Sequence, residues 1–137
     1  QPPQLSAASS SSGSYVLYSG IGSAATSAIG LLRLSPKLGS PEAFVKGTAY
    51  GALYSAAVSL PRSILVAADA PLTPGKQPKH ALQLALLDDK GQGPSLRVAS
   101  PSGDASHVAL ARGQGDEVGF AFSAPDGVYW GSVRCAL

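Results

Sequence analysis

Two histidines, His80 and His107, share the chain with many serines and with Asp69, Asp88, Asp89, Asp104, Asp116 and Asp126, so on residue type alone a Ser-His-Asp triad is available. A catalytic serine of the nucleophile-elbow kind sits in a Gly-x-Ser-x-Gly turn, and the sequence contains none. His107 alternates out of phase with Val108 and Leu110, which places it on the solvent face of a strand. His80 opens a strand beside Lys79. Both positions suit structural histidines better than a general base.

The carboxylate pairs Asp88-Asp89 and Asp116-Glu117 lie in Gly-flanked turns, where aspartate favours the turn backbone and stays solvated. They do not make a two-carboxylate glycosidase site. Two distant histidines without spaced carboxylates give no metal-ligand set, and the single cysteine, Cys135, excludes an intrachain disulfide and a Cys-based zinc cluster. Gly20-Ile21-Gly22-Ser23-Ala24-Ala25 follows the strand-like Tyr15-Val16-Leu17-Tyr18 and is similar to a reduced dinucleotide fingerprint. The strand with an acidic end that should follow is missing, because Ser35 to Pro41 reads as a turn. No cofactor is expected, and the glycines read as packing positions. Ten Lys and Arg against eight Asp and Glu give a formal charge of +2 with no basic run, which argues against a nucleic-acid partner.

These residues need elements to position them. Charged residues make up 13% of the chain, about half the usual share of roughly 25%, while 16 glycines and 11 prolines make it turn-prone. Residues 1–13, rich in Pro, Gln and Ser, read as a flexible linker following a cut or processed end. Residues 14–137 are expected to form a single α+β domain. Its first part, about 14–60, is predicted to be a Gly/Ala-rich helix pair: an uncharged segment from Ser14 to Leu32, then a helix capped by Ser40, opened by Pro41 and Glu42 and stopped at Pro61. Gly20, Gly22, Gly30, Gly47 and Gly51 would let the helices approach each other closely, or contact a membrane or partner. Residues 14–32 are long enough to cross about 30 Å of hydrocarbon, although their Ser, Gly and Thr content makes a poor permanent span.

From about residue 63 to 135 the apolar period changes to two. Leu82, Leu84 and Leu86 share a face, as do Leu96 and Val98, Val108 and Leu110, and Val118, Phe120 and Phe122. Turn clusters separate them, with Pro125-Asp126-Gly127 a hairpin signal. An antiparallel meander of about five strands follows, with Ser63 to Ala68 leaning to strand. Tyr129 and Trp130 fall on opposite faces of the last strand, and Trp130 is a candidate partner anchor. No internal repeat is evident.

At Leu34-Ser35-Pro36-Lys37-Leu38-Gly39-Ser40, between a Gly/Ala-rich segment and a later meander, the sequence resembles the middle domain of S-type pyocins and related colicin-like bacteriocins. Leu82-Gln83-Leu84-Ala85-Leu86-Leu87-Asp88-Asp89-Lys90-Gly91 and the closing Val128-Tyr129-Trp130 extend the resemblance over roughly residues 14 to 134. The family's strands are richer in Arg and Val, and its Pro-rich end is absent after Trp130. The resemblance implies an α+β delivery module, secreted or released from a bacterial producer and acting at the target-cell envelope. Its partners would be a cytotoxic domain in the same polypeptide and envelope components or the inner membrane. The expected function is thus a non-catalytic translocation module of a bacteriocin-type toxin. The alternatives are a protein-binding adaptor without a toxin role, using the sheet edge or Trp130, and a small hydrolase using a serine with His80 or His107.

Overall fold

Strands account for all the regular structure among the described residues. The computed structural model describes residues 4–10, 13–21, 28–34, 42–45, 54–71, 79–88, 92–98 and 103–136. It contains β1 (Gln4–Ser10), β2 (Gly13–Ile21), β3 (Ala28–Leu34), β4 (Glu42–Val45), β5 (Ser55–Ser59), β6 (Ile64–Pro71), β7 (His80–Leu87), β8 (Ser95–Val98), β9 (Ser106–Arg112), β10 (Glu117–Ala124) and β11 (Gly127–Arg134). They form three sheets, β1-β2-β3-β4, β5-β6-β7-β8 and β9-β10-β11, each paired antiparallel in chain order. Burial along the strands is described for the seven of the second and third sheets.

The expected α+β class is therefore corrected to all-β. β2 and β3 stand where the first helix was predicted, paired from Ser14 with Leu34 to Ile21 with Ala28. β4 and β5 occupy parts of the second. The physical reason lies in residue types that do not favour a helix: Gly, Ser, Thr, Tyr and Val all rank low, and each interior glycine costs about 1 kcal/mol relative to alanine. Pro41 is equally at home before an edge strand, which is what β4 is. Gly20 lies in β2 and Gly30 in β3, not on helix faces. Gly22, Gly47 and Gly51 lie outside the described residues. A strand at Gln4–Ser10 occupies much of the segment whose composition predicts a linker.

The period-two runs of the second half are strands. In the second sheet, register pairs Leu65 with Leu86, Ala67 with Leu84 and Asp69 with Leu82, so these residues share one face. The same face carries Leu60 into a core with Ala105, Val118, Phe122 and Cys135, against which Val108, Leu110, Phe120 and Val133 pack. The opposite face of β6 and β7, with Ile64, Val66, Ala68, Ala70, Ala81 and Leu87, is buried as well. β5 approaches β1 and β2 of the first sheet, and β9 approaches β5, β6 and β7. The second sheet is thus covered on both faces. Burying a side chain such as Phe122 or Leu82 contributes about 1.5–3 kcal/mol, so this double coverage is where the described stability concentrates.

Candidate functional site

In an antiparallel meander the start of one strand, the end of the next and the start of the third meet at one end of the sheet. Tyr54 precedes β5, Asp69 lies near the end of β6 and His80 opens β7, so the three converge. The third sheet brings Asp104 to His107 at the start of β9 and Ser123 to Pro125 at the end of β10 to the same place. Together they line an open cleft of about 680 Å³.

Two reciprocal clasps hold its walls. The Tyr54 N–H donates to Asp69 Oδ1 at 2.8 Å, while the Asp69 N–H donates to the Tyr54 carbonyl at 3.2 Å. The His80 N–H donates to Asp104 Oδ1 at 3.1 Å, and the Ala105 N–H returns a bond to the His80 carbonyl at 3.0 Å. The second clasp ties the two sheets. Asp104 adopts a left-handed backbone with φ 56°, which aspartate tolerates better than most residues.

The Asp69 side chain is 1% exposed, and His80 Nδ1 stands 3.8 Å from its Oδ2. His80 Nε2 is sealed from solvent and has no hydrogen-bond partner among the described residues. His107 sits at an irregularity in the β9–β10 register, with φ 49°. Its Nδ1 is 3.1 Å from Ser106 Oγ, and its ring lies against Tyr54 with centroids 4.1 Å apart. Both sequence-singled histidines therefore reach one cleft, together with Asp69 and Asp104. Asp88 and Asp116 stand apart from it: the Asp88 carboxylate accepts the Gln92 N–H in a turn, and Asp116 is exposed in the β9–β10 turn. Asp89 lies outside the described residues. Among the described residues no group of three or more His, Cys, Asp or Glu could hold a metal ion.

Trp130 lies on the opposite side of the third sheet from Tyr129. Tyr129 stacks on Phe122 with ring centroids 5.5 Å apart and donates its hydroxyl to Asp126 Oδ2 at 2.7 Å. That bond, aided by slight desolvation and by the Asp126 charge, raises the phenol above its ordinary value. Trp130 is 80% exposed. Register places it beside Ala121, which pairs in turn with Ala109, and Gly119 pairs with Ala111 and Ser132. The outer face is small-residued and uncharged around the indole; Glu117 and Arg134 oppose each other at its end.

Tyr54, Ser106 and Ser123 were not singled out in the sequence. A signal for part of the cleft was present: Asp69 interrupts the apolar run Ile64 to Ala70, and a buried carboxylate needs partners. Among the described residues no helix is long and apolar enough to cross a membrane. Fold and cleft define, among the described residues, an all-β array of antiparallel meanders with an open cleft between the second and third sheets. The chain matches no family model, no curated protein and no solved structure.

Proposed function

We propose that this chain is a non-catalytic protein-binding module that engages its partner through the outer face of the third sheet. The exposure of Trp130 on an uncharged, small-residue face carries this reading, because a large aromatic left open among small uncharged residues is the mark of an interface anchor. The hydrolase alternative gains little from the cleft. A general base must reach the proton it takes, and His80 Nε2 is buried, while the hydroxyl nearest His107 belongs to its own chain neighbour, Ser106.

The delivery role implied by the bacteriocin resemblance drew its membrane contact from a helix pair, and strands replace it. Such a role would now run through the same protein-binding face. Co-purification with a partner at defined stoichiometry, abolished by Trp130→Ala without loss of thermal stability, is the expected result. Leakage of anionic liposomes that survives Trp130→Ala would favour membrane delivery instead.

A further inference from the structure

We infer that the three sheets are successive copies of one repeating unit, and that the Trp130 face of the third docks on the first sheet of a second copy of this chain, closing a ring of six sheets. The inference rests on the protein-binding reading above and names the partner.

The first strands of the three sheets start at residues 4, 55 and 106, a constant step of 51 residues. Each start opens an antiparallel meander laid down in chain order. Both four-residue last strands, β4 and β8, follow a proline and end in valine, at Val45 and Val98, 53 residues apart and so close to that step. A period near 50 residues built of short antiparallel meanders, here of four, four and three described strands, is the period of blade-like repeat architectures.

The way the sheets meet points the same way. Each first strand lies beside the next, β1 by β5 and β5 by β9, and the remaining close approaches between sheets, β2 with β5 and β6 and β7 with β9, also involve a first strand. The sheets converge on their first strands, as blades converge on an axis. Ser55, Ala57 and Ser59 share one face of the second sheet with Ala68, Val66 and Ile64, the face away from the third, and β5 is the strand that meets the first sheet. One step of 51 residues on, Val108 and Leu110 stand on the face of the third sheet turned toward the second. The repeat assigns the first sheet to the Ser55 face, so that each unit would turn the corresponding face to its predecessor.

The other face of the second sheet, with Leu65, Leu82, Leu84 and Leu86, is covered by the third. Its counterpart on the third sheet carries Ala109, Ala111, Ala121, Val128 and Trp130, and remains open. Continuity of the existing interface assigns to this face a sheet of the same kind. Rings of such units typically close with about 4–8. One copy supplies three sheets, two supply six and three supply nine, so two copies fit.

Trp130 is the sole tryptophan of the chain, so its fluorescence reports this face directly. Sedimentation and light scattering of the 137-residue chain over a wide concentration range should give the mass of a dimer. As the dimer forms, Trp130 emission should move to shorter wavelength and its quenching by acrylamide should fall severalfold. Trp130→Lys and, independently, Ala109→Arg should yield monomers with unchanged circular dichroism that melt where the dilute, dissociated native chain melts, whereas Lys79→Ala, beside His80 and away from this face, should leave the dimer intact. A monomer at every concentration, or a species of three or more copies, would overturn the inference. If the chain stays monomeric while Trp130-dependent co-purification with another protein persists, the second-copy inference fails and the protein-binding reading stands. If neither is seen, both fail.

Discussion

Asp69 is a carboxylate 1% exposed inside a sheet, and it persists because the Tyr54 backbone and the His80 ring face its oxygens. Asp69→Ala leaves a buried N–H and an imidazole without that partner, so a loss of about 2–4 kcal/mol in urea unfolding is expected. Asp69→Asn keeps an oxygen for the Tyr54 N–H and should lose visibly less; equal losses would show that the clasp contributes nothing. Cys135 is governed by burial first and by the Asp116 carboxylate second, and both raise the thiol above its ordinary value. The folded state thus favours the neutral thiol. Its contribution is fully present below the ordinary value of roughly 8.5 and is lost as pH rises through the raised folded value. Stability measured at neutral and at alkaline pH should therefore fall more steeply in the native chain than in Cys135→Ala, and thiol reagents should label Cys135 slowly until the chain unfolds. Parallel pH curves for the two proteins would refute this assignment.

Among the elements, the β10–β11 hairpin shows how local chemistry sets register. Ala124 pairs with Gly127 across a two-residue turn, Pro125-Asp126, and Asp126 then receives the Tyr129 hydroxyl three residues on. Asp126→Ala should bring the Tyr129 phenol back toward its ordinary value, which ultraviolet titration reads directly. Further along, Phe120 lies across Gly131, where an added Cβ would come within 2.8 Å of the ring tip. Gly119 on the same sheet has only ordinary contacts, the nearest at 3.7 Å. Gly131→Val should cost about 1–3 kcal/mol through overpacking, while Gly119→Ala should be nearly neutral. Similar melting temperatures for the two variants would mean that Phe120 moves aside freely.

At the scale of the molecule, the second and third sheets share one core through Leu82, Leu84, Val118 and Phe122. They should unfold together. Phe122→Ala is expected to cost about 3–5 kcal/mol and to shift the Trp130 fluorescence and far-ultraviolet transitions equally, although Trp130 itself lies on the opposite face. Separated transitions would mean that the two sheets fold as independent units.

The strands from Ile64 onward were legible in the sequence because half-buried strands write their burial as alternation: Leu82, Leu84 and Leu86, or Val118, Phe120 and Phe122, can only be one face of a sheet. The turns at Pro125-Asp126 and the exposed place of His107 were legible for the same local reasons. The first half was not, because Ala, Gly and Ser fit either a close helix pair or a close sheet, and the choice falls to strand partners distant in sequence. The 51-residue step escaped notice for a related reason: what repeats is pairing order and facing direction, while the residues themselves have diverged to small apolar types that are nearly interchangeable. The residues alone determined which positions alternate and how few charges the chain carries. Only the tertiary structure decided that Asp69, His80, Asp104 and His107 share a cleft and that Trp130 faces outward, since both depend on which sheet lies against which.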